Sequence, residues 1–161
     1  MPTNLEIIKA HYVGSETMDM AAMLAPLTPA SRWTEMAGFP CAGTYVGPEA
    51  VVENVFKVLG TEWDGYALKI DRLVDGGDTI VGVGTYTGTY RKTGKAMSAR
   101  VTHVWDLMDG KVAQILTPSQ AQGPTLGIFG PMQTKDLAPN TSPAYSAAAV
   151  VDRRGPALVG A

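Results

Sequence analysis

The stretch 66-YALKIDRLVDGGDTIVGVGTYTGTYRKTGKAMSARVTHVWDLMDGKVAQILT-117 decides the fold. Tyr66 to Val74 reads as a strand closed by the turn Asp75-Gly76-Gly77-Asp78. Thr79 to Tyr90 is a second strand, rich in Val, Thr and Tyr and free of charge. Arg91-Lys92-Thr93-Gly94 turns the chain into a third strand, Met97 to Leu107. Met108-Asp109-Gly110 turns it again into a fourth, Lys111 to about Thr117. Consecutive strands joined by tight turns predict an antiparallel meander. Gly82, Gly84 and Gly88 share one face of the second strand, as expected where a sheet bends or another group comes close.

Upstream of this meander the period is helical. Asn4 to Tyr12 carries Leu5, Ile7, Ile8 and Tyr12, with Val13 just beyond, at helical spacing. Met18 to Leu24 reads as a short helix stopped before Pro26. Val46 to Leu59 is the best helix of the chain. Pro48 stands in its first turn, Val51, Val52, Val55, Phe56 and Leu59 form its apolar stripe, and Gly60 closes it. Helices followed by a meander give an α+β fold, with a curved antiparallel sheet wrapped around N-terminal helices.

Composition narrows the function. The chain has 161 residues, 45% hydrophobic and 17% charged, which is enough for one buried core. A net charge of −2 argues against nucleic acid as a partner. No apolar run approaches the roughly 20 residues that span a bilayer, and the start, MPTNLEIIKAHYV, is not signal-like. The expectation is a soluble, cytoplasmic domain that does not engage membranes. One cysteine, Cys41, and two histidines exclude an internal disulfide and a cysteine-built zinc site, so no metal is expected. Gly82-x-Gly84 is not followed by the Lys-Ser/Thr of a phosphate loop. Met18, Met20 and Met23 read as core filler.

Residues 1–117 form the predicted domain. From Pro118 to Ala161 there are six Pro, five Gly and eight Ala but only five charged residues, which predicts a mobile or loosely docked tail. The other reading is a tail that wraps a partner subunit through Leu126, Ile128, Phe129 and Met132.

Several phrases within residues 4–117 resemble a known family. Trp33-Thr34-Glu35-Met36-Ala37-Gly38-Phe39-Pro40, then Ala42-Gly43-Thr44-Tyr45-Val46-Gly47, look like the SnoaL-like branch of the ketosteroid-isomerase-like superfamily, which also holds nuclear transport factor two. Gly84-Thr85-Tyr86-Thr87-Gly88-Thr89, His103-Val104-Trp105-Asp106 and Asp109-Gly110-Lys111-Val112 fit the same branch. The resemblance implies a cone-shaped α+β barrel with a pocket open at one end, and homodimers paired through the outer sheet face. It does not by itself imply a reaction, because the fold hosts isomerases, dehydratases, cyclases, epoxide hydrolases and binding proteins. The chain departs from the family in its last strand, where Ala113-Gln114-Ile115-Leu116-Thr117-Pro118 runs straight into the tail.

Three residues are candidates for chemistry. Glu35 stands among Trp33, Met36, Phe39 and Pro40, an apolar setting that raises a carboxyl pKa and makes a general base. Its other reading is a rim carboxylate or a partner of Arg32. By resemblance to the isomerases, whose catalytic carboxylate falls near Met36, Tyr12 matches an oxyanion-binding tyrosine; otherwise it is one more buried aromatic. His103 shares a strand face with Met97, Ala99, Val101, Trp105 and Leu107, whereas Thr102 and Val104 share the opposite face. The two faces exclude each other as pocket walls. Either Thr102 and Val104 line the cavity, Thr102 matching the isomerases' second acid, or His103 does. An epoxide hydrolase of the Asp–Arg–Asp type is argued against, because the matching strand Thr79 to Tyr90 and the position near Thr117 carry no charge.

The sequence therefore predicts a pocket protein that moves a proton on a small apolar carbonyl compound, as an isomerase, dehydratase (a lyase) or cyclase without a cofactor. Glu35 is the expected base, and Tyr12 with His103 or Thr102 the carbonyl partners. Trp33, Phe39 and Tyr86 are the expected walls. The rival is a non-catalytic ligand-binding or dimeric accessory protein of the same fold.

Overall fold

The computed structural model describes residues 1–39 and 41–117. The predicted tail from Pro118 to Ala161 lies outside the described residues. Helix α1 runs from Asn4 to Thr17. Thr3 caps it, accepting from the Glu6 backbone while Glu6 accepts from the Thr3 backbone. The helix ends at Met18, which adopts the left-handed conformation. Its buried face is Ile8, His11 and Tyr12, one i, i+3, i+4 stripe. Val13 is exposed. Helix α2, Met20–Leu24, is capped by Asp19 and packs on α1 where Gly14 leaves room for Ala22.

Two strands went unread in the sequence: β1, Leu27–Glu35, and β2, Gly43–Val46. Helix α3 follows, α-helical over Pro48–Val51, π-helical over Val52–Phe56 and α-helical again over Lys57–Glu62. Pro48 starts it as expected, but Gly60 lies inside it rather than ending it. The widened π turn lets the adjacent Val55 and Phe56 both face the interior. The meander comprises β3 (Trp63–Gly76), β4 (Thr79–Tyr90), β5 (Lys95–Met108) and β6 (Lys111–Thr117). Asp109 and Gly110 both have positive φ, which a tight hairpin between β5 and β6 requires.

The sheet order is β2-β1-β6-β5-β4-β3. It is mixed rather than purely antiparallel, because β1 lies parallel to β6, pairing Trp33 with Ile115 and Glu35 with Thr117. Bulges in β3 at Asp64/Ala67 and Ile70/Arg72 help curve the sheet into an unclosed cone around α1. The fold is α+β. Strict alternation on β5 buries Met97, Ala99, Val101, His103, Trp105 and Leu107. Ile8, Ile80, Trp105 and Ile115, all fully buried, fix the centre of the core. Each such side chain contributes about 1.5–3 kcal/mol. Among the described residues, no helix is long and apolar enough to cross a membrane.

Candidate functional site

Strand parity decides which residues meet. On β1, Trp33 and Glu35 point inward and Arg32 outward, so Glu35 does not pair with Arg32. Its carboxyl is buried, at 5% exposure, and accepts from Trp33 Nε1 at 2.7 Å through Oε1. Oε2 lies 2.5 Å from Thr117 Oγ1, and that hydroxyl is also 3.2 Å from the Thr34 carbonyl oxygen. Burial raises the Glu35 pKa; the hydrogen bonds from Thr117 and Trp33 work the other way without cancelling it. The Thr117 hydroxyl serves both protonation states. It donates to an ionised Glu35, or accepts from a protonated one while donating to Thr34.

A second network crosses the same interior. Trp105 Nε1 donates to Tyr12 Oη at 2.8 Å, and Tyr12 Oη lies 2.9 Å from His103 Nδ1. His103 Nε2 lies 2.7 Å from Tyr86 Oη. Burial, with His11 nearby, pushes the His103 pKa down to about 3, so the ring is neutral. An indole nitrogen only donates, so Tyr12 accepts from Trp105. The neutral His103 ring has two tautomers: with Nε2–H, Tyr12 donates to Nδ1 and Nε2 donates to Tyr86; with Nδ1–H, Nδ1 donates to Tyr12 and Tyr86 donates to Nε2. In the first tautomer the Tyr86 hydroxyl hydrogen is free to turn toward Tyr66.

Both networks border one cavity of about 150 Å³, with Trp33, Glu35, Tyr66, Tyr86, His103 and His11 on its walls. The Tyr66 hydroxyl is buried beside Tyr86 and makes no hydrogen bond of ordinary geometry among the described residues. Burial first, then the Glu35 charge, raise the Tyr66 phenol well above its ordinary pKa; at Tyr86 burial and then Tyr66 come ahead of Glu35. His11 Nδ1 donates to the Met23 carbonyl oxygen at 2.7 Å, and burial pushes its pKa down to about 4. Its Nε2 is therefore the bare nitrogen of a neutral ring. Met18, Met20 and Met23 stand at the cavity with Leu59 and Leu68. A wider groove of about 540 Å³ runs past Asn4, Ile7, Pro26 and Asp109, but Glu6, Asp109 and Lys111, its charged residues, are all exposed.

Placement corrects several expectations. Glu35, His103, Trp33 and Tyr86 come together on the cavity wall. Thr102 and Val104 do not, because β5 turns them to the outer face with Arg100 and Asp106. Tyr12 stands behind His103, its hydroxyl engaged by Trp105 and His103, and it is not among the residues that line the cavity. Phe39 is one layer back, stacked on Tyr86 at 5.7 Å. Met36 is exposed. Sequence reasoning missed Tyr66, Thr117 and His11 as site residues. The helical step from Ile8 to His11 was a readable signal; Thr117 had none, because only the parallel β1–β6 pairing brings it to Glu35. Among the described residues, no group of three His, Cys, Asp or Glu is placed to hold a metal ion.

A family model described as a SnoaL-like domain matches residues 8–115, well over half of the chain. The chain belongs to the SnoaL-like domain family. Its SnoaL-like fold is shared with an NTF2-like protein from Burkholderia thailandensis, at 52% identity and a TM-score of 0.73, covering 74% of this chain and 92% of that one. It is similar to TerC co-crystallized with polyporic acid, at 27% identity and a TM-score of 0.60, covering 71% of this chain and 89% of that one. A putative SnoaL-like polyketide cyclase from Jannaschia sp. shares the fold at 15% identity and a TM-score of 0.67, covering 80% of this chain and 93% of that one. None of the curated proteins matches the chain.

Proposed function

We propose that this SnoaL-like protein catalyses proton transfer on a small, mostly apolar carbonyl compound. The observation that carries the reading is the buried Glu35 carboxyl sharing a cavity with the Tyr66 and Tyr86 hydroxyls, of which Tyr66 makes no hydrogen bond of ordinary geometry among the described residues. Ionised Glu35 takes a proton from the carbon next to the carbonyl. The C–H electron pair moves onto the carbonyl oxygen, where phenolic hydrogens from Tyr66 and Tyr86 meet the growing charge. Returning the proton to another carbon gives isomerisation; expelling a β-hydroxyl, protonated as it leaves, gives dehydration. A raised carboxyl pKa suits this exchange near neutral pH. Pairing of two copies through the outer sheet face, which carries Thr102 and Val104, belongs to the same proposal, as does a cytoplasmic setting.

One observation favours the rival reading of a non-catalytic binding protein: both Glu35 oxygens already hold hydrogen bonds. Deuterium exchange separates the two. In D2O the protein should speed exchange at the α-carbon of small cyclic ketones, and Glu35→Gln should cut that rate by about 100-fold or more. Equal rates in the two proteins would leave only the binding reading.

A further inference from the structure

We infer that the ligand of this cavity is an uncharged molecule about the size of a single six-membered ring, carrying one acceptor oxygen that rests against the Tyr66 hydroxyl. This deepens the carbonyl reading above and rests on it. Size comes first. The cavity is about 150 Å³. An apolar protein cavity of about that volume holds benzene. Its walls include Trp33, Phe56, Tyr66 and Tyr86, and Trp33 meets Phe56 and Trp105 edge-to-face at 5.3 and 5.6 Å. Walls pinned by such packing do not yield to fused rings without repacking the core.

Charge comes second. Among the described residues no Lys or Arg lines the cavity, and Glu35 is its one acidic residue. An anionic ligand would be buried beside that carboxyl with no cation to offset it, and a cation would give up its water shell for a carboxyl whose two oxygens already hold Trp33 and Thr117. His11 and His103 are neutral, and both His103 nitrogens are already committed to tyrosines.

Polarity comes third. Tyr66 keeps a buried hydroxyl that makes no hydrogen bond of ordinary geometry among the described residues; Tyr86 acts on it only as a donor, which leaves the Tyr66 hydrogen without an acceptor there. Leaving a donor unmade costs more than a hydrogen bond normally contributes, so an acceptor oxygen on the ligand removes a standing penalty. Met20, Leu59 and Leu68 add apolar lining that suits the ring.

The test reads binding rather than turnover, on the full chain. Chemical-shift titrations following the Trp33 indole compare cyclohexanone with methylenecyclohexane, its oxygen-free shape match, and with anthrone and cyclohexylammonium. Cyclohexanone should bind at least about fivefold more tightly than methylenecyclohexane. Tyr66→Phe should close that gap while leaving methylenecyclohexane unchanged, and anthrone should not bind. The inference is overturned if anthrone or cyclohexylammonium binds as tightly as cyclohexanone, or if the gap survives in Tyr66→Phe. The size comparison needs no variant, so it stands even if Tyr66→Phe folds poorly. A binding series as expected alongside unchanged exchange in Glu35→Gln would remove the catalytic reading and keep this one.

Discussion

Glu35 Oε2 lies 2.5 Å from Thr117 Oγ1, across a parallel strand pair whose members are 82 residues apart in sequence. That contact sets the ease with which the carboxyl ionises, since the hydroxyl lowers a pKa that burial raises.

Thr117→Val keeps the shape and deletes the hydroxyl. The Glu35 pKa should rise further, moving the ascending limb of the pH–rate profile to higher pH. Stability at pH 7 should fall by about 1–3 kcal/mol, the cost of a buried acceptor left unmet. A profile that does not move would detach Thr117 from the carboxyl.

Tyr12→Phe tests the hydrogen-bond chain. It strands both Trp105 Nε1 and His103 Nδ1 inside the core. Urea denaturation should show a loss of about 1–3 kcal/mol. Ketone binding should change little, because the Tyr12 hydroxyl does not reach the cavity.

Two glycine substitutions should act in opposite directions. A Cβ at Gly82 would fall 2.5 Å from Tyr12 Oη, an atom pinned by two partners. Gly82→Ala should therefore destabilise by about 1–3 kcal/mol. At Gly60 nothing lies within 4 Å of the added carbon, and the residue is inside α3. Gly60→Ala should stabilise by about 0.5–1 kcal/mol. Melts of the two variants check both signs.

Much of the fold was legible because its signals are local. Alternation in Thr79–Tyr90, the Asp109-Gly110 turn and the stripe of α1 are each written within a dozen residues. The first strand was not, because Leu27–Glu35 contains a proline, charges and a bulge that break its alternation. The site divided the same way. Glu35 was legible from its apolar neighbours, but the role of Thr117 depends on a long-range parallel pairing. The face of β5 was open until α1 placed Tyr12 against His103, with Gly82 making the space.

Acid should destabilise this protein in a defined window. His103 and His11 have folded pKa values near 3 and 4, below the ordinary 6.5. The unfolded chain binds more protons there, so their contribution is present above pH 6.5 and lost as pH falls toward 4 and below. Each histidine steepens that loss by up to about 1.4 kcal/mol per pH unit. Glu35 acts in the other sense. Its folded pKa is raised, so its contribution is full below the ordinary 4.5 and lost as pH climbs through the raised value. Glu35→Gln should steepen the acid loss between pH 6.5 and 4.5. Urea midpoints at three pH values in that range would show it, and an unchanged slope would contradict a raised Glu35 pKa.

The most direct measurement is the carbon-13 titration of the Glu35 side-chain carboxyl in the folded protein, repeated with cyclohexanone bound. The carboxyl should ionise above the ordinary 4.5, and its midpoint should shift when the ketone enters the cavity. A midpoint at or below 4.5, indifferent to the ketone, would mean that this carboxyl is not the proton-transferring group of the cavity.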